Sequence, residues 1–89
     1  MKILAVCGFG VGSSLILKMT ITKALKELGL DADVVNTDIT DAKSYKADAI
    51  FTSPQFVADL QGSVKAPLFP IQKYSDKEEV KQQLTNLFK

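Results

Sequence analysis

The most constraining feature of this chain is an abrupt change of pattern within its first third. Residues 2–7 (KILAVC) form a short apolar run rich in strand formers. Gly8-Phe9-Gly10-Val11-Gly12-Ser13 follows as a glycine-rich junction. From Ser14 the period becomes helical, with Leu17, Ile21, Leu25 and Leu28 on one face and Lys18, Lys23 and Lys26 off it. A buried strand that feeds directly into an amphipathic helix is the opening of a βαβ unit. The return strand must then lie parallel to the first, because the helix carries the chain back along the sheet.

The rest of the chain repeats that alternation. Gly29 supplies a helix C-cap, residues 31–36 (DADVVN) read as a second strand, and residues 37–47 as a polar crossover with a short helix. Residues 48–52 (DAIFT) read as a third strand. Ser53-Pro54 is an N-cap followed by proline at the first helical position, with Phe56, Val57 and Leu60 as the buried side and Gly62 as the stop. Residues 68–71 (LFPI) read as a fourth strand, which Pro70 places at an edge. Ser75-x-x-Glu78 reads as a capping box for a last helix that buries Val80, Leu84, Leu87 and Phe88. With 89 residues there is room for a single domain, 1–89. The expected architecture is a small flavodoxin-like α/β fold of three layers: a four-stranded parallel sheet in the order 2-1-3-4, with helices on both faces.

Doubly wound folds place ligands outside the carboxyl ends of the strands, at the switch point beside strand 1. The loop that begins at Cys7 belongs there, and so do Asp38, Ser53, Gln55 and Lys73 after the other strands. Glycines let backbone N–H groups converge, and the following helix N-terminus adds partial positive charge. Cys7, Gly8, Phe9, Gly10, Val11, Gly12, Ser13 and Ser14 therefore form a candidate anion nest with a thiol at its entrance. The same field lowers the expected pKa of Cys7 and enriches the nucleophilic thiolate. Ser13 and Ser14 serve equally as phosphate donors or as helix caps. Phe9 is either a partner contact or a residue folded back on the domain. Asp38 reads as a turn or cap residue, Ser53 as an N-cap and Lys73 as a surface lysine.

Absences narrow the chemistry further. The chain has no His and no Arg, and its one Cys is Cys7. Ser-His-Asp and Cys-His machinery, HExxH zinc chemistry and guanidinium clamps are thus excluded, no metal site or cofactor is expected, and a reducing compartment is favoured. A Walker A loop would need Lys where Ser13 stands, and a GxGxxG loop would need a different final spacing. A C-x5-R thiol phosphatase would need Arg at that same position 13. Removing that Arg leaves a loop able to hold a phosphorylated thiol without driving its hydrolysis, which is the behaviour of a carrier. The alternatives that stay open are a thiol phosphatase or arsenate-reductase-like enzyme, and an anion-sensing module that never carries phosphate.

Net charge is +1, too small a basic excess for a nucleic-acid binder. The charge is segmented, with residues 31–60 holding six Asp against two Lys while both flanking thirds are basic, which points to a protein partner. The apolar run before Cys7 is too short for a signal-peptide core, and the charge-free run 3–17 is too short to cross a bilayer.

The stretch CGFGVGSSLILKM (Cys7 to Met19), directly after KILAV, resembles the cytoplasmic EIIB subunits of the bacterial phosphoenolpyruvate-dependent sugar phosphotransferase system (PTS). It is most similar to the ascorbate-type branch; lactose/cellobiose and galactitol types have related loops. The resemblance implies a phosphoryl carrier whose Cys7 takes phosphate from a phosphohistidine on EIIA. It would pass that phosphate to a sugar, L-ascorbate in the ascorbate branch, bound by the membrane subunit EIIC. Gly8 to Ser14 would wrap the phosphate. The implied location is cytoplasmic, peripheral at the inner membrane face through EIIC, with no membrane span of its own.

Overall fold

In the computed structural model, which describes residues 1–7 and 11–88, four strands alternate with four helices. They are β1 (Lys2–Cys7), α1 (Val11–Leu28), β2 (Asp33–Asp38), α2 (Ile39–Ala42), β3 (Ala49–Thr52), α3 (Pro54–Leu60), β4 (Leu68–Pro70) and α4 (Lys77–Leu87). All strand pairings are parallel and the order is β2-β1-β3-β4, as expected. Pro70 lies on an edge strand, where its missing N–H leaves no ladder bond broken.

The period-2 alternation of β1 divides the core between the two faces of the sheet. Ile3 and Ala5 point to one side and pack with Leu17, Ile21, Ala24 and Leu25 of α1, with Val80 and Leu84 of α4, and with Phe51. Leu4 and Val6 point to the other, against Ala42 of α2, Ile50 and Leu60 of α3. Ile3, Leu4, Ala5 and Val6 are all fully buried, which is why residues 2–7 carry no polar/apolar alternation.

Element boundaries differ from the sequence reading at several points, β3 (Ala49–Thr52) and β4 (Leu68–Pro70) by one residue each. Helix α1 begins at Val11, three residues before Ser14, because apolar periodicity marks where a helix becomes buried and its backbone starts earlier. Its buried stripe is Leu17, Ile21, Ala24 and Leu25; Leu28 is exposed, since the helix stops there and Gly29 turns the chain away at φ +71°. The Leu30 N–H reaches the Leu25 carbonyl and the Gly29 N–H that of Lys26, the bonding pattern of a Schellman cap. Strand β2 lies two residues later than read, so Thr37 and Asp38 complete the ladder opposite Val6 and Cys7.

The cap of the last helix differs too. Helix α4 is capped by Asp76, whose carboxylate accepts from the Glu78 and Glu79 N–H groups, so Ser75 and Glu78 do not form the expected capping box. Glu79 turns instead to the preceding loop. A carboxylate accepts these bonds better than a hydroxyl and suits a helix N-terminus, which explains the one-residue slip. Ser53 is the N-cap of α3 and Pro54 opens the helix, as read, with the cap made by the Ser53 backbone carbonyl alone and no side-chain cap bond. Leu60 is the buried residue of α3, while Phe56 and Val57 are half-buried; in α4, Leu87 and Phe88 are likewise half-buried beside buried Val80 and Leu84.

Helices α1 and α4 are also joined by charge. The Lys77 ammonium and, at 2.9 Å, the Lys81 ammonium both meet the Glu27 carboxylate. The Lys77 hydrogen bond, then that of Lys81, holds the Glu27 carboxyl below the usual carboxylate range; Glu27 in turn pushes the Lys81 ammonium up. A lowered folded pKa for Glu27 means its stabilisation is present at neutral pH and is lost as pH falls through the folded value. The Lys81 contribution has the opposite sign and is lost as pH rises through its raised folded value. Glu27 is exposed and the two lysines partly so, and solvent and salt reach the pair, so the effect is small. Glu27→Gln is expected to lower the melting temperature slightly at neutral pH and low salt. Thermal melts of both proteins should converge in acid below the carboxylate range and in high salt; a pH-independent gap would remove the ion pair as the cause.

Candidate functional site

Helix α1 covers one face of the sheet and α2 and α3 the other, so the chain leaves β1 and β3 in opposite directions. The crevice this creates lies at the carboxyl ends of the strands, beside β1. Cys7 is the last residue of β1 and stands opposite Asp38, the last residue of β2. Val11, Gly12, Ser13 and Ser14 make up the first turn of α1, so half of the stretch read as a glycine loop is helical. Gly8, Phe9 and Gly10 lie outside the described residues. The first N–H groups of an α-helix have no intrahelical partners, and α1 presents that end four residues after Cys7.

The other residues expected at this end occupy plainer roles. The Asp38 carboxylate accepts from the Asp41 N–H at 2.7 Å and caps α2, which is the cap role read for it. Ser53 donates its N–H to the Tyr74 hydroxyl at 3.1 Å. Gln55 is exposed in the first turn of α3. Lys73 is exposed in the loop between β4 and α4, where its N–H donates to the Glu79 carboxylate at 3.0 Å.

Sequence reasoning missed a set of residues beside Cys7. The β1–β3 ladder ends at Ala5 opposite Phe51. Beyond it, the Val6 carbonyl accepts from the Thr52 hydroxyl at 3.0 Å and from the Tyr74 hydroxyl at 3.2 Å. Thr52 is fully buried, although the sequence reading gave it no role beyond closing an apolar strand. Tyr74 arrives from a polar loop 68 residues later in the chain, and no local pattern marks it.

Leu15, Ile16 and Met19 are 48%, 49% and 52% exposed. They form an apolar shoulder in the first half of α1, on the end that faces the crevice. An open groove of about 430 Å³ runs along it, lined by Ile16, Met19, Thr20, Lys23, Ser75 and Lys77. No cluster of three or more potential metal ligands occurs among the described residues, and none of the described helices is long and apolar enough to cross a membrane.

Fold and site together define a small doubly wound α/β domain with a cysteine at its switch point, backed by a helix N-terminus. Residues 2–86 match the family model of the PTS lactose/cellobiose-specific IIB subunit, so the chain belongs to that family of sugar-phosphotransferase IIB components. Among curated proteins it is 30% identical over 89 residues to the ascorbate-specific PTS EIIB component of Mycoplasma pneumoniae, covering 98% of this chain and 94% of the relative. In fold it is similar to the lactose-specific IIB component domain from Streptococcus pneumoniae. The TM-score is 0.66 at 13% identity, covering 100% of this chain and 98% of the other.

Proposed function

We propose that this protein is a phosphoryl carrier with Cys7 as its transient phosphate site. Support comes first from the place of Cys7 at the carboxyl end of β1, the central strand flanked by β2 and β3, four residues before the N-terminus of α1. The Cys7 thiolate attacks phosphorus on a phosphohistidine of EIIA; an S–P bond forms, the N–P bond breaks, and the imidazole leaves and takes up a proton. A hydroxyl of a sugar held by EIIC then attacks the same phosphorus. An O–P bond forms, the S–P bond breaks, the hydroxyl loses its proton and the thiolate is restored.

In so loose a transfer, positioning and charge neutralisation do most of the work. The N–H groups at the start of α1, with Gly8, Phe9, Gly10, Val11, Gly12, Ser13 and Ser14 as the wrapping segment, supply both to the phosphoryl oxygens without a cationic side chain. The donor imidazole comes from the partner, which suits a chain without histidine. The apolar shoulder of Leu15, Ile16 and Met19 supports docking of EIIA and EIIC over the crevice. Its flanking Lys18 and Lys23 favour an acidic partner rim. The ascorbate specificity named for the Mycoplasma pneumoniae relative makes L-ascorbate the first sugar to test. The carrier would work in the cytoplasm, at the inner membrane face when engaged with EIIC.

The test is intact-protein mass after incubation with phosphoenolpyruvate, the general phosphotransferase proteins and candidate EIIA proteins. The expected result is a gain of one phosphoryl group, reversed when dephosphorylated EIIA is added. Steady release of inorganic phosphate would favour a thiol phosphatase. Phosphate binding with no covalent label from any donor would favour an anion-sensing module.

A further inference from the structure

Two hydroxyls converge on one carbonyl, and that carbonyl belongs to the peptide unit of the candidate nucleophile. The Val6 oxygen accepts from Thr52 at 3.0 Å and from Tyr74 at 3.2 Å, which fills both of its lone-pair directions. A peptide unit is planar, so fixing the Val6 oxygen also fixes the nitrogen and Cα of Cys7. On the opposite edge the ladder with β2 pairs Cys7 with Asp38. The backbone of Cys7 is thus gripped from both sides at the point where β1 ends.

Tyr74 is itself held in place. The Ile71 N–H donates to the Thr52 carbonyl at 2.7 Å. The Glu79 carboxylate takes the Gln72 and Lys73 N–H groups at 2.8 and 3.0 Å, and the Asp76 N–H donates to the Lys73 carbonyl at 3.0 Å. The loop that delivers Tyr74 is therefore pinned to the end of β3 and to the first turn of α4, while its ring packs against the larger core cluster. The Tyr74 hydroxyl spends its one proton on Val6 and accepts the Ser53 N–H at 3.1 Å. It has no proton left to offer a phosphoryl group, so its role is to position.

We infer that Thr52 and Tyr74 are positioning residues for Cys7: their hydroxyls take over where the β1–β3 ladder ends and hold the nucleophile's backbone in the orientation that phosphoryl transfer needs. The inference rests on the phosphocysteine reading. A displacement of about 1 Å in a reacting group can cost on the order of 100-fold in rate.

The experiment measures phosphoryl transfer from phosphorylated EIIA to wild type, Thr52→Val, Tyr74→Phe and Thr52→Ser over a range of donor concentrations, with melting curves to verify folding. Thr52→Val and Tyr74→Phe should each lower kcat by roughly 10- to 100-fold. KM for the donor should stay within about twofold, because the docking surface is untouched, and Thr52→Ser should restore most of the rate. Rates within about twofold of wild type in both variants overturn the inference, as does a loss fully accounted for by the unfolded fraction. If Thr52→Val does not fold, Tyr74→Phe, which keeps the ring, decides alone. If wild type takes no phosphoryl group from any donor, the phosphocysteine reading has failed, and alkylation of Cys7 by iodoacetamide judges the positioning separately. Equal alkylation rates in all four proteins then overturn it; a fall of about threefold or more, reversed in Thr52→Ser, upholds it.

Discussion

Cys7→Ser is expected to take up no phosphoryl group from any EIIA donor while melting as wild type does. A serine hydroxyl is a weak nucleophile unless a base removes its proton, and this chain has no histidine to do so. A thiol needs no base where a helix N-terminus favours the thiolate, which is the part proposed above for the start of α1. Loss of the single nucleophile should lower transfer on the order of 10³-fold or more. The measurement is radiolabel incorporated per folded protein, read beside the intact mass. Persistent stoichiometric label in the serine variant would show that another side chain carries the phosphate and would end the phosphocysteine reading.

The second large effect is on stability. Phe51 is fully buried in β3, and its ring lies against Phe69 with centroids 5.1 Å apart and planes tilted by 36°. It belongs to the core cluster that joins β1 and β3 to α1 and α4. Phe51→Ala removes that contact and leaves a cavity that surrounding strands cannot close, at a cost of about 3–5 kcal/mol. A domain of 89 residues has a total stability of roughly 5–13 kcal/mol. The variant should therefore melt at least about 12 °C below wild type, and the least stable case is partial unfolding at room temperature. Urea denaturation followed by circular dichroism is the check. A loss under about 1 kcal/mol would mean that the α1/α4 face is not the main core.

Both predictions draw on features of different legibility. The alternation of strands and helices, the two-faced core and the position of Cys7 at the end of β1 follow from short-range pattern, and the order β2-β1-β3-β4 agrees with the doubly wound arrangement expected for such a chain. Residues 2–7 are apolar throughout because both faces of β1 are covered, and the change to a helical period after the glycines leaves a parallel crossover as the outcome. Gly29 and Pro70 are readable from local chemistry as well: glycine takes the φ of +71° at the end of α1 without strain, and proline, with its fixed φ and no N–H, suits an edge strand.

Boundaries were less readable. The early start of α1 and the two-residue slip of β2 reflect backbone hydrogen bonding, which continues past the last buried side chain and leaves no periodic trace. The cap of α4 depended on a competition between Ser75 and Asp76. Asp76 won because its carboxylate reaches two N–H groups, while Glu79 was drawn to the loop behind it.

The sequence alone determined the class of fold, the faces of its main helices and the placing of a thiol ahead of a glycine-rich helix start. Each of these depends on residues a few positions apart, so local spacing carries the information. Only the tertiary structure decided what holds that thiol's backbone in place. Thr52 and Tyr74 lie 46 and 68 residues from Val6, and they meet its carbonyl because three strands and the β4–α4 loop end at the same edge of the sheet. A hydrogen bond across that separation leaves no pattern in one chain, because it is the folded packing that brings its donor and acceptor within 3.2 Å.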